Sequence, residues 1–150
     1  MRRMAVLLEG WADAMGASED ERRRWLEACW LHDALRDADL PTGTTHGAAA
    51  AACAASHGEA DPGVLSAVRY HSVGHAGWDD VGKMLYLADF LEPGRKRHRK
   101  QRARLARRVP HDRDRVLRLI VAQQIRSRLR RGRSIHPHTL QFWNSMAHSQ

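Results

Sequence analysis

The chain has 150 residues, a mass of 17.0 kDa and 43% apolar side chains, enough for one domain with one core. No stretch approaches the roughly 20 apolar residues of a membrane span, and no basic-then-apolar leader opens the chain, so a cytoplasmic setting is expected and a membrane partner is not. The net charge is +8, but it is segregated: residues 95–133 hold 17 basic and 2 acidic side chains, while the remainder carries a net −7.

In chain order, almost every signal is helical. Val6, Leu7, Leu8, Trp11 and Met15 follow the three-to-four spacing of one apolar face, and Gly16 suits a C-cap. Ser18 and Glu21 form a capping box that opens a second helix, running through Trp25, Cys29 and Trp30 to about Leu35. A Pro/Gly/Thr loop over 39–45 precedes an alanine-rich helix from His46 to Ala55. Asp61-Pro62 is a helix start, leading to His71. Asp79 or Asp80 caps a helix over 81–91, ended by Pro93-Gly94. A basic amphipathic segment follows, then a long helix capped by Asp112, with Val116, Leu119, Ile120 and Ile125 on its apolar side. A short helix covers about 139–146. Alternating strand patterns are nearly absent. The fold class is all-α: one helical domain over 1–150, with its chemistry in 1–94 and basic helices in 95–150.

Two cysteines, Cys29 and Cys53, sit in helical settings without metal-knuckle spacing, which suits a reducing compartment. Ten histidines direct attention to metal or acid–base chemistry. His32-Asp33 closes an apolar helix; alone, the pair is a weak signal and reads better as a capped or solvated pair. Asp89 is a carboxylate on a hydrophobic helix, where burial demands a cation. Imidazoles with a shared aspartate are the donors that hold divalent transition metals.

The strings LHDALRD, VRYHSVGHAGWDDVGKMLYLADFLEPGR and SIHPHTLQFWN resemble the bacterial YqeK family over nearly the whole chain. These are HD-superfamily hydrolases described as symmetrical bis(5'-nucleosyl)-tetraphosphatases. The resemblance implies an HD-superfamily helical bundle with two divalent transition metals, iron first and manganese second. Its substrate would be a nucleotide polyphosphate, diadenosine tetraphosphate cleaved to two ADP. It implies His32, Asp33, His46, His71 and Asp89 as metal ligands, with Asp33 the bridging, catalytic carboxylate. Arg95 would face substrate phosphates. Lys83 falls where the family has lysine, as a phosphate contact or a surface charge. His75 reads as a phosphate contact or an exposed loop residue.

One departure stands out. The family's first ligand is a histidine in the opening helix, whose position falls just ahead of Met1, and no histidine precedes His32. Either the protein starts further upstream than Met1, or one metal site is weakened by a lost ligand. Metal loading is expected to be weaker here than in a chain extended upstream with that histidine.

Of the other histidines, His57 suits a helix C-terminus, and His98, His111, His136, His138 and His148 suit the surface or caps. The tryptophans read as core, with Trp78 allowed near a base-binding mouth. Alternative functions are a nucleotidase or phosphodiesterase acting on another nucleotide, and a non-catalytic RNA- or ribosome-binding module. The second is disfavoured because the basic segment lacks interleaved aromatics.

Overall fold

The computed structural model describes residues 1–147; His148 lies outside them. Seven helices run in the order α1 (Arg2–Met15), α2 (Glu19–Leu31), α3 (His46–Ser56), α4 (Pro62–Tyr70), α5 (Asp80–Leu91), α6 (Arg99–Arg130) and α7 (Pro137–Ala147), with no strand among the described residues. The all-α expectation holds.

The helix starts follow local chemistry. Ser18 accepts from the Glu21 N–H while the Glu21 carboxylate accepts from the Ser18 N–H, a complete capping box. Thr45, Asp61 and Asp79 cap α3, α4 and α5 through side-chain oxygens. Gly16 closes α1 in the left-handed conformation, φ 64°, which costs glycine nothing.

Helix α5 forms the axis of the bundle. Val81, Gly82, Met84, Leu85, Tyr86, Leu87, Ala88 and Leu91 are buried, so apolar side chains leave it in every direction. Helices α1, α2, α4 and α6 pack around it. Arg24 ties three helices together: its Nε donates to Asp61 at 2.6 Å and its Nη2 to Asp61 and Asp79 at 2.9 and 2.8 Å. The N-caps of α4 and α5 are thereby clamped to α2.

Helix α6 carries Pro110 and breaks at Asp112, whose backbone is non-helical at φ −155°, ψ 55°. Pro110 has no N–H to offer the Ala106 carbonyl one turn earlier. That carbonyl instead accepts the Trp11 indole N–H at 2.9 Å. The kink therefore leaves no unpaired acceptor there, and it docks α6 on α1.

Several expectations are corrected. Val6 is 68% exposed, and Met4, Ala5, Leu8, Trp11 and Ala12 form the inner face of α1 instead. Helix α2 ends at Leu31, four residues early. The basic segment and the helix beyond Asp112 form one kinked element, in which Leu119 is exposed while Leu117 and Val121 turn inward. Trp78 is not at a mouth: it is 6% exposed, packs against Tyr86 and Phe142, and donates to the Ser66 carbonyl at 3.2 Å.

Candidate metal centre

Three helix ends converge on one point. His32 follows the last residue of α2, His46 is the first residue of α3, and His71 follows the last residue of α4. The alanine-rich sequence of α3 brings the last two together, since small side chains let α3 lie close against α4. Gly47 marks the tightest approach: a Cβ there would meet the Val68 and Arg69 carbonyl oxygens at 2.8 Å. The imidazoles of His46 and His71 consequently face each other with Nε2 atoms 3.0 Å apart.

Ring orientation is fixed by the backbone. His32 Nδ1 lies 2.7 Å from the Cys29 carbonyl oxygen, and His71 Nδ1 lies 2.8 Å from that of Val68. A carbonyl can only accept, so each Nδ1 donates a hydrogen there, which leaves Nε2 as the ring atom available to a metal. His32 is 1% exposed and its Nε2 has no hydrogen-bond partner among the described residues. A buried polar atom left unpaired is an expensive arrangement that a bound ion would relieve.

Asp33 completes the cluster. Its Oδ2 lies 3.4 Å from His32 Nε2, and its Oδ1 lies 3.6 and 3.8 Å from the Nε2 atoms of His46 and His71. Ligands held about 2.0–2.2 Å from one metal are separated from each other by about 2.9–3.5 Å. The observed spacings of the donors from Asp33, His46 and His71 fall in or slightly beyond that range, so these residues fit a single divalent ion, with His32 alongside.

The protonation states agree with this. Burial pushes the Asp33 carboxyl up, but His32, the Arg36 guanidinium at 2.8 Å and His71 together outweigh it, and the group sits below its ordinary value. His71 is 4% exposed, and burial, with His32 and His46 nearby, holds its imidazole below the ordinary value despite the Val68 hydrogen bond and the attraction of Asp89. Both groups are therefore ready as ligands at neutral pH without proton release.

A cavity of about 510 Å³ opens beside the cluster. Asp33, Arg36, Asp89, Glu92 and Arg95 line it together with the first residues of α1. Asp89 projects from α5 into this cavity, and its carboxylate is gripped by the Arg95 guanidinium. The opening of α1, just after the position where the resemblance places a further histidine, contributes Met1, Arg2, Arg3 and Met4 to the wall.

The remaining site expectations lie elsewhere. His75 stacks on Tyr70, with ring centroids 4.6 Å apart, and its Nδ1 accepts from the Gly77 N–H. Lys83 lines a separate cavity with Asp114, Arg118 and Phe142. Neither lines the cavity beside Asp33. His57 caps α3 as expected. Arg36 was missed, although its position three residues beyond Asp33 is the spacing of a helical ion pair. Glu92 was also missed; it lies on the cavity wall and meets Arg3 at 3.6 Å.

The chain superposes on a crystal structure from Clostridium acetobutylicum described as a predicted HD superfamily hydrolase involved in NAD metabolism. The TM-score is 0.76 and the identity 19%, covering 99% of this chain and 87% of that one. The two chains share one all-helical fold. No family model matches the chain, and no curated protein matches its sequence. In this chain His32-Asp33 is an adjacent histidine–aspartate pair just past the end of α2, and His46 and His71 reach it from the ends of the two following helices.

Proposed function

We propose that the chain is a metal-dependent phosphohydrolase that cleaves dinucleoside tetraphosphates, diadenosine tetraphosphate giving two ADP. The observation that carries this reading is the convergence of Asp33, His46 and His71, whose donor atoms all lie within 4.8 Å of one another at the edge of an open cavity. Asp33, His46, His71 and His32 would hold one divalent transition ion, iron first and manganese second. Asp89, on the same cavity, would serve a second ion once released from Arg95.

A bound transition ion supplies Lewis acidity, acidifying water towards neutral pH and drawing charge from the attacked phosphoryl group. The chain's own residues do the rest. Asp33 is kept ionised by Arg36 and the surrounding imidazoles. The Nδ1–H bonds to the Cys29 and Val68 carbonyls hold the rings of His32 and His71 in orientation. Arg95 and Arg36 offer guanidinium forks to phosphate oxygens. A polyphosphate would take Arg95 from Asp89, because it presents more anionic oxygens than one carboxylate. In the reaction, the water oxygen forms a new P–O bond as the bridging P–O bond breaks, and the water's protons pass to solvent.

A second reading is hydrolysis of another nucleotide by the same site. It is favoured by the description of the Clostridium acetobutylicum neighbour as involved in NAD metabolism. Comparing kcat/KM on diadenosine tetraphosphate with that on mononucleotides and NAD separates the two readings. Turnover with iron or manganese should fall by about a thousandfold or more in Asp33→Ala. Undiminished turnover in that variant would sink the proposal.

A further inference from the structure

A second cavity, of about 290 Å³, lies beyond the turn that follows α5 and shares Glu92 and Arg95 with the first. Its floor is apolar, built from Leu91, Ala103 and Ala106, and its rim carries Arg99, Lys100 and Arg102. Arg99, Ala103 and Ala106 recur every three to four residues on α6, so one helix face supplies both floor and rim.

Arg102 is the informative residue. Its Nε donates to the Arg97 carbonyl at 3.0 Å, and its guanidinium lies over the Phe90 ring, 4.6 Å from the centroid. Its Nη1 is buried and has no hydrogen-bond partner among the described residues. Asp89 and Glu92 attract it only from beyond ion-pair range, while Arg95 repels it. Guanidinium stays charged throughout the accessible pH range. A fixed, partly buried cation on the cavity wall, flanked by two exposed cations and a third across the shared wall, lacks an anion. The apolar floor beneath it suits an aromatic or sugar surface rather than a bare inorganic ion.

We propose that this second cavity is the subsite for the half of a nucleoside polyphosphate that is not being attacked. Arg102, Arg99 and Lys100 take its phosphates, and the Leu91–Ala103–Ala106 floor takes its nucleoside. The proposal rests on the phosphohydrolase reading of the first cavity. Arg95, on the wall common to both, spans the phosphates between them. The subsite explains how one chain could prefer a substrate with a nucleoside at each end.

The test is calorimetric binding of a methylene-bridged, non-hydrolysable diadenosine tetraphosphate analogue to the full-length protein, with inorganic tripolyphosphate as the comparison. The analogue should bind about tenfold tighter than tripolyphosphate. Arg102→Ala should weaken analogue binding by about tenfold, and Arg102→Lys should recover only part, because an ammonium lacks the fork. Arg102 also packs on Phe90, so the double variant Arg99→Ala/Lys100→Ala, exposed at the start of α6, supplies an arm that misfolding cannot imitate. It should weaken binding by about threefold to tenfold, with unchanged thermal unfolding. Wild-type affinity in both Arg102→Ala and the double variant would overturn the subsite. Equal affinity for the analogue and tripolyphosphate would overturn its nucleoside assignment. Failure of the hydrolase reading looks different: wild-type protein would not turn over diadenosine tetraphosphate, yet analogue binding would still depend on Arg102.

Discussion

If Asp33, His32, His46 and His71 form a metal site, the ion must stabilise the folded chain, because helix ends far apart in sequence converge there only on folding. Ligand binding to the native state adds RT ln(1 + [L]/Kd), about 2.7 kcal/mol at a hundredfold excess over Kd, or about 5–11 °C in Tm for a chain of this length. Asp33→Ala separates this linkage from ordinary packing. The Asp33 side chain is 18% exposed and its hydrogen-bonded partner, Arg36, is 63% exposed. An ion pair so open to water contributes about 0–1 kcal/mol, so the metal-free Tm should move by no more than about 4 °C. The metal-dependent rise should vanish, because the carboxylate that faces all three imidazoles is gone. Differential scanning fluorimetry with manganese, and anaerobically with ferrous iron, measures both quantities. A wild-type Tm indifferent to both metals would refute the reasoning, as would a full metal response in Asp33→Ala.

Gly47→Ala should disrupt the site without touching a ligand. Its Cβ would sit 2.8 Å from two carbonyl oxygens of α4 and 3.1 Å from His71 Nδ1, forcing α3 away; about 1–3 kcal/mol of stability and most of the metal response should be lost. A variant that loads metal like wild type would show that the α3–α4 approach is not what sets the His46–His71 spacing. Arg24→Ala should cost about 1–2 kcal/mol, seen as a fall in urea midpoint, because three charge-assisted hydrogen bonds linking α2 to the α4 and α5 caps disappear. The same clamp shapes acid stability. Arg24 first, then the Val64 and Gly63 N–H groups, overcome burial and hold the Asp61 carboxyl down to about 2, from an ordinary 3.8. A depressed carboxylate contributes stability that is complete above the ordinary value and lost as pH falls towards 2. Discounted for solvent screening, this amounts to about 1–2 kcal/mol between pH 4 and pH 2. Acid titration of wild type and Arg24→Ala with identical slopes in that window would contradict the assignment.

What could be read from the sequence was what short-range chemistry decides. The Ser18–Glu21 box, Asp61-Pro62 and Asp79 each satisfy helix N–H groups within three residues, so the helix starts needed no tertiary information. Faces and ends did need it. Val6 fits the apolar stripe of α1 as well as Met4 does, and only the packing of α2, α5 and α6 against α1 selects between them. Helix α2 stops early where the His32 ring takes the Cys29 carbonyl, a competition that hydrophobic periodicity does not register. In the site, the residue types were legible through the His-Asp pair and the strings around His71 and Asp89. The capture of Asp89 by Arg95 was not, because it crosses a turn with no regular period. Nor was the unpaired donor of Arg102, which exists only because Phe90 and α6 close over it. His75 and Lys83 have side chains suited to phosphate, but the turn after α4 and the rotation of α5 direct them away from the cavity beside Asp33.

The charge segregation acquires a mechanical meaning once the arginines are placed. Arg113 divides its guanidinium between Asp80 at 2.8 Å and Asp114 at 3.0 Å, pinning α6 to the first turn of α5. Arg95 and Arg102 reach the two cavities that flank the other end of α5. The acidic part of the chain supplies the counter-charges: Asp80 for the pin, Asp89 and Glu92 for the cavity wall. Arg104, Arg107, Arg126, Arg130 and Arg133 remain exposed, and they are the residues on which an RNA-binding reading depends. That reading makes a distinct electrostatic demand. Each phosphate neutralised along a single strand should contribute about −0.7 to the slope of log K against log salt, so charge removal at Arg126 and Arg130 should flatten the slope. A nucleotide held between two cavities makes no such demand on them, since both cavities lie at the opposite end of α6. Loss of affinity on removing Arg126 and Arg130, with Arg102 intact, would assign the basic helix to nucleic acid; loss at Arg102 alone assigns its first turn to the substrate.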